Sequence, residues 1–298
     1  MKRVKIGYFA DGPWSHKAFD KIISDTRFQV QFICVRYDTN DQILVSIAKT
    51  HNIMLLKHPN VNSIEFLDSI AKYSCDIFVS MSFNQILKSN FINYPPLKTI
   101  NCHAGKLPFY RGRNVLNWVL INDEKEFGIT VHYIDEGIDT GDIILQKVFP
   151  ITDQDDYSSL LELAYTECAN ILYESLVMIY DGNVNPVHQK DIHPVGFYCT
   201  QRKEGDEIIN WNNKSREIFN FVRALCKPGP GAVTSIRGKS LIINRIKIIN
   251  DAPQYCGIAG SVVGKKSNSE IIIKTGDSTI ELVEYDYDGK IRIGDRLE

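Results

Sequence analysis

Asn101-Cys102-His103-Ala104-Gly105-Lys106-Leu107-Pro108 closes a short apolar run that begins at Lys98, and its reading decides the fold. Along a strand successive side chains alternate between faces, so Asn101 and His103 share one face, ~6–7 Å apart, and Cys102 takes the other. Gly105 and Pro108 then force a turn, which is followed by Tyr110-Arg111-Gly112-Arg113. A second segment belongs with this one: Asp135-Glu136-Gly137-Ile138-Asp139-Thr140-Gly141-Asp142, an acidic, glycine-punctuated loop between two strand-like runs, residues 128–134 and 143–149. An amide donor and an imidazole on one face, with an acidic loop supplied from further along, are the parts that acyl transfer to an amine requires.

Upstream, short apolar runs at residues 4–10, 29–35, 76–80 and 98–102 alternate with amphipathic stretches, the pattern of an α/β sheet. The spacing predicts helices over 15–24, with Ser15 as N-cap, and over 63–73, with Ser63 capping and Ile64, Leu67, Ile70 and Ala71 on one apolar face. The sheet is expected to be mostly parallel, with an antiparallel addition after residue 103. Leu160, Leu161, Ala164, Cys168, Ile171, Leu172 and Ile179 recur at helical spacing, so a long helix over 156–179 packs back on the sheet. It stops at Asp181-Gly182-Asn183, and a linker carrying Pro186 and Pro194 follows.

The composition then changes. A helix over 215–225 leads into the breaker Pro228-Gly229-Pro230-Gly231, and five short β-type runs follow at 232–236, 241–249, 260–263, 270–274 and 279–284. They predict a small barrel or sandwich. With 298 residues, 44% apolar and 23% charged, the chain reads as an ordinary globular protein rather than a disordered or membrane-inserted one. A formal net charge of -2 excludes a globally basic nucleic-acid coat. The start is basic and then apolar, but Lys5 and Asp11 interrupt any signal-peptide core, so it reads as a first strand. Seven widely spaced cysteines without a Cys-x-x-Cys pair read as reduced thiols of a cytoplasmic protein.

The chemistry of the pair follows from its parts. Histidine is the side chain that exchanges a proton near neutral pH, so His103 can take a proton from an attacking amine and, as imidazolium, favour the oxyanion that forms on an acyl carbonyl. Asn101 supplies a second hydrogen bond to that oxygen, a type of donor whose loss costs about 10²–10³ in rate. Asp139 can hold the imidazole and support its charged form. Taken alone, an Asn-x-His pattern reads as a turn cap beside an ordinary half-buried histidine; the apolar strand before it, the turn after it and the acidic glycine loop 36 positions on are what point to chemistry. Several other motifs are decoys. Gly260-Ser261-Val262-Val263-Gly264-Lys265-Lys266 is one residue short of a phosphate loop and reads as a hairpin turn. No Gly-x-Gly-x-x-Gly, Gly-x-Ser-x-Gly or His-Glu-x-x-His occurs, and His132 and Asp135 read as structural rather than metal-binding.

Asn101-x-His103 with Leu107-Pro108 and Arg111-Gly112, then Asp135-x-Gly137-x-Asp139-Thr140-Gly141-Asp142, resembles the signature of the formyltransferases that use 10-formyltetrahydrofolate. Residues 202–211 and Val222-Arg223-Ala224 before Pro228-Gly229-Pro230-Gly231-Ala232 are similar to the second-domain junction of the two-domain members, the methionyl-tRNA and sugar-nucleotide formyltransferases. The resemblance implies a Rossmann-like catalytic domain over 1–204 and a β-rich, OB-like barrel over 205–298. It implies catalytic roles for Asn101, His103 and Asp139. It also implies donor-binding roles for Phe83, Asn84, Gln85, Ile86, Leu87 and Arg113, and for the loop residues Asp135, Glu136, Gly137 and Ile138. Apart from the resemblance, 83–87 reads as a strand-to-helix loop that buries Ile86 and Leu87, and Arg111 and Arg113 read as solvated charge.

Trp14 and His16, residues 80–85 and residues 102–106 look most like the enzymes that N-formylate nucleotide-linked 4-amino-4,6-dideoxysugars, which implies a nucleotide-sugar substrate, a role in lipopolysaccharide O-antigen synthesis and a homodimer. Trp14, Lys106, Tyr110, Arg202 and Trp211 are the candidates for the diphosphate and base. Neither nucleic acid nor membrane is expected as a partner. From Gly205 to Glu298 there are 14 Lys and Arg against 12 Asp and Glu, a net of +2, which is weak support for a tRNA substrate. The stripe Arg237, Lys239, Arg245 and Lys247 keeps that alternative, methionyl-tRNA formylation, in view.

Overall fold

A computed structural model describes residues 3–267 and 270–298. Met1 and Lys2, part of the basic start, lie outside the described residues. In chain order the elements are β1 (Val4–Ala10), α1 (Gly12–Ile23), β2 (Phe28–Val35), α2 (Gln42–Thr50), β3 (Met54–Lys57), α3 (Ile64–Ala71), β4 (Ile77–Met81), α4 (Ser89–Ile92), β5 (Thr99–His103), β6 (Arg111–Gly112), α5 (Val115–Ile121), β7 (Glu126–Tyr133), β8 (Ile143–Pro150) and α6 (Tyr157–Tyr180). Then come α7 (Gln189–Ile192), β9 (Tyr198–Cys199), α8 (Ser215–Leu225), β10 (Ala232–Ile236), β11 (Lys239–Ile248), β12 (Val262–Lys265), β13 (Ile271–Lys274) and β14 (Thr279–Asp286).

The chain forms two compact units: Met1–Gly112 with Phe127–Phe149 and Glu162–Cys199, and Arg113–Glu126 with Pro150–Leu161 and Thr200–Glu298. Neither unit is one uninterrupted stretch. Two short excursions, residues 113–126 and 150–161, belong with the C-terminal part, and α8 is the reason: Asn117 Nδ2 donates to the Ala224 carbonyl at 2.6 Å, and Arg223 Nη1 donates to the carbonyls of Thr152 and Asp155 at 2.7 and 3.1 Å.

In the first unit the sheet runs β3-β2-β1-β4-β5-β7-β8. The first five strands are mutually parallel, and β7 joins β5 antiparallel. Strand order reverses between β1 and β4, the switch point at which open α/β sheets carry their sites, beyond the carboxyl ends of the strands. One core cluster is aromatic. Phe9 meets Phe91, Phe78 and Phe32 at ring-centroid distances of 4.9, 5.1 and 5.5 Å, all edge-on. Each fully buried ring of this kind contributes about 1.5–3 kcal/mol, and the edge-on pairs add about 0.5–1.5 kcal/mol.

The second unit packs α8 on an antiparallel sheet ordered β10-β11-β14-β13-β12. Its core joins Ile218, Val222 and Leu225 of the helix to Leu241, Ile243, Ile246, Ile280 and Leu282 of the strands. The two edge strands do not stay open: Ile236 bridges Leu297, and Ser261 bridges Arg296. The last residues of the chain thereby close the sheet towards a barrel.

Local expectations fail at identifiable places. Ser15 is not an N-cap: α1 starts three residues earlier with Pro13 in its first turn, and Ser15 is buried with its hydroxyl on the Gly12 carbonyl at 2.8 Å. Ser63 does cap α3, but the buried face is Phe66, Leu67 and Ile70, while Ile64 is 75% exposed. Residues 262–265 of the supposed hairpin turn are strand β12. No helix of the described residues is long and apolar enough to cross a membrane.

Candidate active site

Burial along β5 alternates at its carboxyl end, with Asn101 and His103 half-buried on one face and Cys102 buried on the other. Cys102 Sγ lies 3.6 Å from the Cys168 carbonyl, so α6 packs behind the strand. The antiparallel register sets His132 of β7 opposite Asn101 and Thr130 opposite His103. His132 is therefore a further member of the site: its ring is 2% exposed, and its Nε2 lies 3.4 Å from Asn101 Nδ2 and 3.6 Å from Asp139 Oδ1.

Carbonyl oxygens only accept, so two contacts fix the proton positions. His103 Nε2 donates to the Tyr110 carbonyl at 2.7 Å, and His132 Nδ1 donates to the Tyr133 carbonyl at 2.8 Å. The remaining nitrogen of His103, Nδ1, faces Asp139 Oδ2 at 3.6 Å. That separation is too long for a hydrogen bond but short enough for strong charge interaction. His132 Nε2 is left to accept from the Asn101 amide, whose second N–H has no partner among the described residues and can meet a substrate.

Asp139 sits in the left-handed region at φ 53°, a conformation Asp tolerates better than most residues. Its Oδ2 accepts from the Gly112 N–H at 2.9 Å. Burial alone would push its carboxyl up, but the positive charge that His103 and His132 carry when protonated, together with the Gly112 N–H, outweighs that and holds it well below the usual carboxylate range. Asp139 is consequently an anion at any working pH. Two glycines make the geometry possible. A Cβ on Gly105 would collide with His103 Nε2 and the Tyr110 carbonyl, and one on Gly112 with the Cys199 carbonyl.

The acidic loop is an Asx turn: Asp135 Oδ1 accepts from the Gly137 N–H at 3.1 Å and from the Thr140 hydroxyl at 2.5 Å. Asp135, Glu136, Gly137 and Ile138 are all exposed. Beside the turn lies a cleft of about 250 Å³, lined by Asp135, Glu136, Tyr133, Gly141, Asp142 and Lys98 among others. In the other expected loop, Gln85 is held by the His58 carbonyl and the Val61 N–H at 2.8 and 2.9 Å, and Asn84 donates to Asp38 at 2.9 Å. Phe83 packs on Phe9 and Leu87 is buried, but Ile86 is 71% exposed and does not join the core. An amino-pterin ring presents N–H donors and an apolar face, and exposed carboxylates, backbone carbonyls and a projecting Ile86 fit that chemistry.

The expected acceptor residues are divided between the two units. Trp14 is half-buried, edge-on to Tyr165 at 4.7 Å. Lys106 is half-buried on the turn after β5. Tyr110 is buried at 6% exposure against Phe197, so its ring is covered and its carbonyl is what the site uses. Arg111 is not solvated: it is 7% exposed, and its Nε and Nη2 donate to Gln189 Oε1. Arg113, Arg202 and Trp211 belong to the second unit. Arg113 is exposed. Arg202 donates to the Asp206 carbonyl at 2.7 Å and keeps a buried Nη1 with no hydrogen-bond partner among the described residues. Trp211 is 5% exposed and its indole N–H donates to Thr234 Oγ1 at 2.9 Å, so it is core rather than a nucleobase platform.

Two family models match the chain, formyl transferase at residues 29–176 and formyl transferase, C-terminal domain, at residues 202–294. Methionyl-tRNA formyltransferase of Caldanaerobacter subterraneus subsp. tengcongensis is 33% identical over 255 residues, 84% of this chain and 79% of that protein. Among solved structures, WlaRD, a sugar 3N-formyl transferase crystallised with dTDP and 5-N-formyl-THF, superposes with a TM-score of 0.68 at 23% identity, covering 95% of this chain and 98% of that one. The N-formyltransferase from Helicobacter canadensis in complex with folinic acid and dTDP-3-aminofucose gives 0.66 at 21% identity, with coverage of 96% and 100%. At these identities the structural likeness concerns the fold.

Proposed function

We propose an acceptor and a division of labour for this chain, which belongs to the formyl transferase family: it moves the formyl group of 10-formyltetrahydrofolate onto the primary amine of a nucleotide-linked amino sugar. The donor, when bound, supplies an activated formyl carbonyl. Its pterin is held by residues 83–87 and by the exposed turn at 135–138, where Asp135 and Glu136 line the cleft.

His103 is the base. Because Nε2 is committed to the Tyr110 carbonyl, the neutral ring offers its lone pair at Nδ1, and a proton arriving there sits on a nitrogen 3.6 Å from the Asp139 carboxylate oxygen. Asp139 thus favours the charged ring without itself taking the proton. Negative charge developing on the formyl oxygen as the amine adds is met by the second Asn101 N–H and by the imidazolium; when the tetrahedral centre collapses, the bond from its carbon to N10 of the tetrahydrofolate breaks and the proton held by His103 passes to that nitrogen. His132, accepting the other Asn101 N–H, keeps the amide turned the right way.

The observation that carries the amino-sugar acceptor is how the cations of the second unit are used. Arg216 pairs with Asp123 and Asp153, Arg237 with Asp295, Lys266 with Glu281, Lys227 with Asp286 and Arg245 with Glu284. Arg237 and Arg245 are half of the basic stripe, which leaves Lys239 and Lys247 as its unpaired members among the described residues. A tRNA acceptor calls for several cations free to neutralise phosphates.

A second reading, methionyl-tRNA as acceptor, is favoured by the sequence relatives of that name, at 31–33% identity. Tetrahydrofolate release measured with 10-formyltetrahydrofolate and either dTDP- or UDP-4-amino-4,6-dideoxyhexose or methionyl-tRNA separates the two. Turnover with the amino sugars, little changed between 50 and 200 mM salt, is expected. Turnover with methionyl-tRNA alone, falling steeply with salt, would replace the first reading by the second.

A further inference from the structure

We infer that Gln189 is a positioning residue for formyl transfer, its amide locking the loop that carries Asp139 to the arm that carries Tyr110 and Gly112. The inference rests on the catalytic roles proposed for His103 and Asp139. Gln189 opens α7 and is 3% exposed. Its Oε1 accepts from Arg111 Nε at 3.0 Å and Nη2 at 2.7 Å, while its Nε2 donates to the carbonyls of Asp139 and Gly141, both at 2.8 Å. All four hydrogen-bonding positions of a primary amide are used. The orientation of that amide is settled by its partners, since a guanidinium only donates and a carbonyl only accepts.

What the amide joins gives it its significance. Arg111 lies between Tyr110, whose carbonyl receives the His103 N–H, and Gly112, whose N–H is received by Asp139. Arg111 is itself fixed, with Nη1 on the Val195 carbonyl at 3.3 Å and its guanidinium carbon 5.4 Å from the Tyr198 ring centroid. On the other side, the two carbonyls that Gln189 holds flank Thr140 directly after the Asp139 side chain. One amide therefore ties together the backbone behind both partners of the His103 to Asp139 contact. Glutamate cannot replace it: it would pair with Arg111 but turn a carboxylate on two carbonyl oxygens. Methionine has the length and neither donates nor accepts.

The test uses the full chain. Q189E is expected to lower kcat about 10- to 100-fold, the penalty of an ångström-scale misplacement, with KM for donor and acceptor within about threefold of the parent. Because the effect runs through Asp139, adding Q189E to D139N should lower kcat by less than about threefold further. Where Q189E does not fold, Q189M carries the same cycle. Parent-like kcat in a folded Gln189 variant, or full multiplication of the two losses, overturns the inference. A parent that releases no tetrahydrofolate with any acceptor fails the functional reading instead. The clamp is then read from amide hydrogen exchange at Gly112: faster exchange in the folded variant supports it, and unchanged exchange overturns it.

Discussion

Asp139→Asn removes one charge and little else. The amide keeps an oxygen for the Gly112 N–H, which Asp139 Oδ2 now accepts at 2.9 Å, so the loop stays in place. What disappears is the attraction between a carboxylate and a protonated ring whose Nδ1 lies 3.6 Å away. At an effective dielectric of ~20 that attraction is about 4–5 kcal/mol. The surrounding dipoles and the second histidine recover part of it, so about 2–3 kcal/mol is a reasonable loss in the step where His103 gains its proton. At 1.36 kcal/mol per tenfold this is about 30- to 200-fold in kcat. KM for the donor and the acceptor should stay within about threefold, since the lost charge acts after binding. The assay is single-turnover release of tetrahydrofolate at saturating donor and acceptor, which excludes product release. A folded Asp139→Asn variant whose single-turnover rate is within threefold of the parent would refute the reasoning, because no anion would then be needed beside His103.

Two further outcomes follow from the same geometry. Gly105→Ala puts a methyl group onto the line between His103 Nε2 and the Tyr110 carbonyl, and should lower kcat at least about tenfold and cost about 1–3 kcal/mol in urea unfolding; a variant unchanged in both would mean that this hydrogen bond is dispensable. The carboxyl of Asp139 is depressed in the folded chain, so its stabilisation is fully present above the ordinary carboxylate range near ~4 and is lost as pH falls through its lower folded value. Urea unfolding of the parent and of Asp139→Asn should accordingly differ at pH 7 and 5, with the difference starting to shrink only below about pH 4 and still shrinking below pH 3, and a difference that stays constant from pH 5 down to pH 2 would contradict the assignment.

Parts of this molecule could be read from pattern because pattern reports faces. The period of two along β5 placed Asn101 and His103 together, and the helical period picked out Leu160, Leu161, Ala164, Cys168, Ile171 and Leu172 of α6, all of them buried. Where a face is weak the reading fails. β3 lies at the edge of the sheet with Met54 52% exposed, α2 leaves Ile43 55% exposed, and neither element was anticipated. Ser15 misled for a related reason, since a hydroxyl can satisfy the backbone from inside a first turn as well as ahead of it.

Polar partners are a different kind of information. His132 enters the site only through the register of β5 against β7, and Gln189 only because α7 returns to a strand 78 residues earlier. Neither fact has a local signature. The same distinction governs the acceptor. A count of charges gives residues 205–298 a net of +2 whatever the fold does with them. The cost of binding a polyanion depends on which cations are already engaged, because an arginine held by two carboxylates must give up those contacts before it can displace counterions from a phosphate. Arg216, held by Asp123 and Asp153, illustrates this, and Arg223, turned onto the carbonyls of Thr152 and Asp155, has no freedom at all. Two cations that look available in sequence are thus structural, and the number left over, not the number written in the chain, sets the slope of binding against salt.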